Sequence, residues 1–190
     1  MLENLNQKSK RFSQILAWVG GGLIVLSALM VTVDVIIRKL FNFSLGGADE
    51  IAGYAFGIAT SLSLSFALYE RAHIRVDALY NFMPKTIRII TDFLGLILII
   101  GFILVVSYMA YQLLSSSIKY DSHSITPLRI PLLYPQLPWF LGWVACVVSG
   151  VIIFATALQA LFKRDIARTQ SLIGIKSTEE IIEDESVEVK

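Results

Sequence analysis

Few side chains in this sequence could do chemistry, and their spacing keeps them apart. His73 and His123 are the only histidines, and one long apolar run, Phe93 to Ile118, lies between them. Cys146 is the only cysteine and stands inside another such run. A transition-metal site needs several His, Cys or carboxylate ligands converging on one point. No His-x-x-x-His and no Cys pair supplies them. There is no glycine-rich phosphate loop, and no serine sits in a nucleophile motif. An enzyme reading has little support, and neither a metal nor a cofactor is expected. Cys146 reads as a small packing residue.

The remaining chemistry is that of recognition. Asp34 and Arg38 stand one helical turn apart, acid first, the favourable order for an ion pair. They form either a bridge at the membrane interface or a docking or ion-sensing site. Asp49 and Glu50 open a later apolar run. Acids there offset the positive end of a helix dipole, or they face an external partner. His73, beside Glu70 and Asp77, is either a hydrogen-bonded structural group or a residue that titrates near neutral pH.

All these groups sit at the ends of four long elements. Ile15 to Ile37 holds one charge, Asp34, near its end. Ile51 to Tyr69, Phe93 to Ile118 and Gln136 to Phe162 hold none. A bilayer core needs about 20 apolar residues of helix, so each run can span. The chain of 190 residues is 55% hydrophobic and 16% charged, with mean hydropathy +0.68. A soluble bundle would keep one polar face per helix, whereas Leu94 to Val106 is apolar all round. The expected fold is an all-α integral membrane protein with four transmembrane helices over about 14–38, 49–70, 88–118 and 136–162. Residues 1–164 make the membrane domain. The tail, 165–190, starts basic and ends acidic and is expected to be disordered. The first apolar run is too long for a signal-peptide core and is expected to stay uncleaved.

The cations orient the chain. Lys8, Lys10 and Arg11 precede the first span. Arg71, Arg75, Lys85 and Arg88 fall between the second and third, and Lys163, Arg164, Arg168, Lys176 and Lys190 follow the fourth. The opposite side has only Arg38, Lys39, Lys119 and Arg129. Both termini are therefore expected in the cytoplasm, with Trp139 and Trp143 near the outer interface. A net charge of +1 with dispersed cations excludes a nucleic-acid partner.

The connections carry further signals. Residues 1 to 14 read as a helical extension at the inner surface or a frayed terminus. Gly53, Gly57, Ser61 and Ser65 recur every fourth position in the second span, as do Ala55, Ala59, Ser63 and Ala67. Small residues let helices approach closely in lipid, so this span is a packing helix, against this chain or another. Between spans two and three, an amphipathic inner segment carries Leu79, Tyr80, Phe82 and Met83. The outer connection before span four holds Pro127, Pro131, Pro135 and Pro138 among apolar residues, so it should be stiff and covered.

Three local patterns, in this order and spacing, resemble the small, DctQ-like membrane subunit of TRAP (tripartite ATP-independent periplasmic) transporters. The first runs from Asp34 and Arg38 through Phe41, Asn42 and Ser44 to Asp49-Glu50. The second is His73-Ile74-Arg75-Val76-Asp77. The third is Thr126-Pro127-Leu128-Arg129-Ile130-Pro131, with Pro138 beyond. The resemblance covers about residues 12 to 164. Gly47 stands where the family often has Trp, and Arg71 where it often has Gly.

The resemblance implies a bacterial inner-membrane protein that scaffolds a sodium-driven importer of an organic acid, a carboxylate or sulfonate. Its partners would be a large elevator-type membrane subunit, a periplasmic solute-binding protein and the bilayer. Met1 and the acidic tail lead to the expectation of a large subunit on a separate chain. Gly53, Gly57, Ser61, Ser65, Ala55 and Ala59 are the expected large-subunit packing residues. Arg38, Lys39, Asp49, Glu50, Lys119 and Arg129 are the expected docking residues for the binding protein. Asp34, His73, Asp77, Pro127, Pro131 and Pro138 are expected to be structural. The rival readings are a self-sufficient four-helix multidrug exporter, which needs a mid-membrane acid, and a membrane anchor subunit of a redox enzyme, which needs axial histidines.

Overall fold

Lipid offers no hydrogen bonds, so an apolar segment crossing it must pair its own backbone groups, as an α-helix does. The computed structural model describes residues 2–44, 46–71 and 84–174. Those residues form five helices and no strand. Helix α1 is Leu2–Phe41, α2 is Ala48–Tyr69, α3 is Lys85–Lys119, α4 is Leu133–Phe162 and α5 is Ile166–Ile173. The first four are each long and apolar enough to cross a bilayer, so the chain is an all-α protein with four candidate spans.

Two stretches differ from the sequence expectation. The N-terminal extension is one helix with the first span, giving α1 40 residues and a length of about 60 Å. Asn6 and Ser13 are buried along this N-terminal stretch, which therefore packs on the bundle. The start of the tail is also ordered. Asp165 caps α5 by accepting a hydrogen bond from the Arg168 backbone N–H at 2.9 Å. Thr169 and Ile173, one turn apart, are buried. Residues 175–190 and the amphipathic inner segment, 72–83, lie outside the described residues.

Helix α4 is the hub. It packs against α1, α2, α3 and α5, while α1 pairs most closely with α2. Small residues make the close crossings. A Cβ on Gly20 of α1 would come within 2.9 Å of the Ala59 carbonyl oxygen of α2. A Cβ on Gly142 of α4 would overlap Ser61 of α2. The core of Leu68, Leu96, Ile103, Cys146, Ile153, Ala157 and Ile173 joins α2, α3, α4 and α5. Phe93 and Phe154 meet edge to face across it, centroids 5.8 Å apart. Elsewhere the spans turn Trp18, Phe56, Leu98, Phe102 and Tyr108 outward, as suits helices whose solvent is hydrocarbon.

Candidate functional site

Polar residues of the Asp34–Glu50 and Thr126–Pro131 patterns meet at the end of the bundle formed by the C-terminus of α1, the N-terminus of α2 and the α3–α4 connection. Asp34 is buried, at 1% exposure. Its carboxylate accepts from the Arg38 guanidinium and, at 3.1 Å, from the Ser44 hydroxyl. Ser44 Oγ in turn accepts from the Gly46 N–H at 3.2 Å. Asn42 follows the helix in the left-handed region, φ 51, a conformation Asn tolerates just past a C-terminus. The acid–base pair expected from spacing is thus present, and it also folds the α1–α2 loop back onto α1.

Glu50 makes a second tie. One carboxylate oxygen accepts from Tyr54 Oη at 2.7 Å, one turn along α2. The other accepts from the Thr126 hydroxyl, 76 residues away. Thr126 Oγ1 lies 2.8 Å from Ser124 Oγ. Ser124 donates its N–H to the Ile130 carbonyl at 2.9 Å and accepts from the Ile130 N–H at 3.1 Å. An isolated bridge pairs His123 with Pro131. Pro127 opens a turn closed by the Arg129 N–H on the Thr126 carbonyl at 3.1 Å, the turn position that suits proline. The proline-rich connection is therefore a small hairpin, pinned to the start of α2.

Gly47 receives this hairpin. A Cβ at Gly47 would overlap the Leu128 side chain, so the residue that departs from the family pattern is where Leu128 sits. Arg71, the other departure, adopts the left-handed region, φ 57. Its guanidinium donates to the carbonyls of Gln170 at 3.5 Å and Gly174 at 3.3 Å, holding the C-terminal end of α5 at the opposite end of the bundle. There Lys10 also meets Glu70 at 2.9 Å.

The expected docking residues share the first end but not one environment. Arg38, Lys39, Asp49, Lys119 and Arg129 are exposed, whereas Glu50 is half-buried and engaged by Tyr54 and Thr126. Of the expected structural residues, Asp34, Pro127 and Pro131 join the two ties, and Pro138 lies inside α4. His73 and Asp77 lie outside the described residues. Of the expected large-subunit packing residues, Ala59, Ser61 and Ser65 are buried within this chain. They pack inside the bundle, where Gly20 of α1 and Gly142 of α4 leave room for Ala59 and Ser61. Gly53 is open, with nothing within 4 Å of its Cβ position. It lies in an almost wholly apolar groove of about 590 Å³ between α1 and α2, lined by Ile24, Ser27, Ala28, Val31, Ala52, Gly53 and Phe56. Ala55 and Gly57 are half-buried.

Sequence reasoning missed Ser44, Ser124 and Thr126 as working partners. Hydroxyl residues placed among apolar and proline residues of a short loop were the available signal. No group of three or more His, Cys, Asp or Glu that could hold a metal occurs among the described residues. The arrangement ties two loops to the helix ends and leaves charged side chains exposed at the same end.

Comparison with known proteins agrees with this picture. The family model described as "Tripartite ATP-independent periplasmic transporters, DctQ component" matches residues 27–162. A curated relative, the "Sialic acid TRAP transporter permease protein SiaT" of Haemophilus influenzae (strain 86-028NP), is 28% identical over 83 residues. That segment is 44% of this chain and 14% of the relative, so the chain spans only a small part of that protein's length. No solved structure matches. The family match begins within α1, takes in both ties at the Asp34–Glu50 end and stops at the last residue of α4; the chain belongs to the DctQ components of the tripartite ATP-independent periplasmic transporters.

Proposed function

We propose that this chain is the fixed scaffold of a sodium-driven importer of an organic acid, packed on a large membrane subunit that moves. As a DctQ component it is a multi-pass inner-membrane transporter subunit and not an enzyme. In the proposed orientation both termini are cytoplasmic. The Asp34–Glu50 end then faces the periplasm and helps receive a solute-binding protein. The cation distribution supports that orientation.

One observation carries the scaffold reading. The motif residues Asp34, Glu50, Thr126 and Pro127 come from three parts of the chain and are spent on rigidity, two of them as hydrogen-bonded carboxylates. A mobile carrier needs groups in its spans that change partners. Asp34, buried near the end of the first span, is instead held by Arg38 and Ser44 on the loop side. That counts against Asp34 as the coupling acid of a proton-driven exporter. The name of the relative from Haemophilus influenzae makes sialic acid the first solute to try.

Uptake tests the proposal. Cells expressing or lacking this chain are given labelled sialic acid and then a panel of carboxylates and sulfonates, with and without a sodium gradient. The expected result is sodium-dependent uptake of one of these that disappears without the chain. Uptake unchanged by its loss, for a solute the same transporter carries, would overturn it.

A further inference from the structure

Helix α4 buries one stripe of small and apolar residues, Gly142, Cys146, Gly150, Ile153, Ala157 and Ala160. Helix α2 covers only the first part. Its Ser61 lies at Gly142 and its Leu68 at Gly150, and it ends at Tyr69. Further along, Ile153 and Ala157 share the core with Ile173 of α5. The chain thus folds back after α4, and α5 takes the place on the stripe that α2 leaves.

This short helix is lightly seated. It has eight residues, too few for a helix to persist by itself, and it buries only Thr169 and Ile173. A cavity of about 20 Å³ is left beneath it, among Leu68, Leu96, Ile153 and Ile173, so part of its apolar face lacks neighbours. Few buried contacts mark the segments that open locally while the rest stays folded.

Each end of α5 is nevertheless held. At its start the chain reverses through Arg164, left-handed at φ 59, and Asp165 caps the Arg168 N–H. At its end Arg71 reaches the carbonyls of Gln170 and Gly174. Carbonyls there carry the partial negative charge of a helix C-terminus, which a cation stabilises. Arg71 itself closes α2, its N–H on the Leu68 carbonyl at 3.3 Å. One residue therefore joins the C-terminal ends of two helices about 100 residues apart in the chain.

We propose that α5 is a latch that seats and unseats as one unit on α4, with Arg71 as its clasp. Seated, it holds together the points where the chain leaves α2 and α5. Unseated, it parts them and bares the Ile153–Ala160 portion of the stripe. The latch couples the C-terminal segment to the α2–α3 connection.

Hydrogen exchange of the full chain in lipid nanodiscs, resolved amide by amide, tests it. In the parent, the amides from Arg168 to Ile173 should share one protection, weaker than that of α4 from Cys146 to Ala157. Arg71→Gly removes the guanidinium and keeps a backbone that glycine adopts freely. It should speed exchange about tenfold at all of those α5 amides, the capped Arg168 amide included, and leave α4 unchanged. Ile173→Ala should speed the same amides by a common factor, since it acts on the same opening. Faster exchange in the last turn only would mean that α5 frays and does not unseat. Equal protection of α5 and α4 in the parent, or a change that spreads into α4, would make α5 an inseparable part of the bundle. No change in Arg71→Gly would show that Arg71 is not the clasp. Any of these results would overturn the proposal.

Discussion

Glu50 accepts two hydroxyl hydrogen bonds, one local and one from a residue far along the chain. The local bond, from Tyr54, follows from i, i+4 spacing on a helix. The distant one, from Thr126, does not, since nothing within either segment points to the other. That is why sequence reading found Glu50 but read it as a helix-end charge or a docking charge, not as a tie to the hairpin. The Thr126 bond is the one that pins the hairpin, so Thr126→Val should leave a carboxylate oxygen without its donor. The melting temperature of the purified chain should fall by roughly 2–4 °C, and a protease should cut the 120–132 connection sooner. An unchanged cleavage rate would mean that the tie does not hold the loop. Arg71 gives a second test. Its backbone is in the left-handed region that glycine adopts freely, while its guanidinium holds α5. Arg71→Ala should lose the tether and keep the strained backbone, whereas Arg71→Gly loses the tether alone. Arg71→Gly should therefore be the more stable of the two by about 1 kcal/mol, read from denaturant unfolding in detergent. Equal stabilities would show that the backbone there is unstrained.

The four long helices were legible because bilayer thickness fixes their length and hydrocarbon fixes their composition. The joins were less so. Nothing in residues 2–14 marks a break from the first span, yet their mixed polarity reads as a separate surface segment until the burial of Asn6 and Ser13 is seen. Helix α5 was hidden by the charge of the tail around it. Its signal was small: Asp165 in a capping position, with Ile166 and Ile173 spaced two turns apart. The small-residue ladders of α2 showed that the helix packs closely but not on what, because Gly and Ser suit any close neighbour. The structure divides them, with Ser61 and Ala59 facing inward and Gly53 open. Two substitutions exploit that division. Gly142→Leu should force α4 away from Ser61 and lower the thermal stability of the isolated chain. Gly53→Leu should leave that stability unchanged and weaken association with the large subunit, measured by the yield of co-purified complex. A loss of stability in Gly53→Leu as large as in Gly142→Leu would show that both faces serve this chain alone.

Across the described residues, the charged side chains gather toward the ends of the spans. One end holds two hydrogen-bonded ties and a ring of exposed charges, and the other holds Arg71 on α5 and the Lys10–Glu70 pair. Between them run spans whose lipid-type surfaces meet no other element of the described chain, including the open groove beside Gly53. Among the described residues the polar groups hold one element on another, as suits a subunit that positions another protein. The central claim is therefore an association. The chain is tagged, extracted gently from its native membrane, and whatever remains bound is identified and quantified. The account predicts one large membrane protein with many spans, in fixed ratio to this chain, retained across several mild detergents. Recovery of the chain alone, as a stable homo-oligomer in those same detergents, would contradict it.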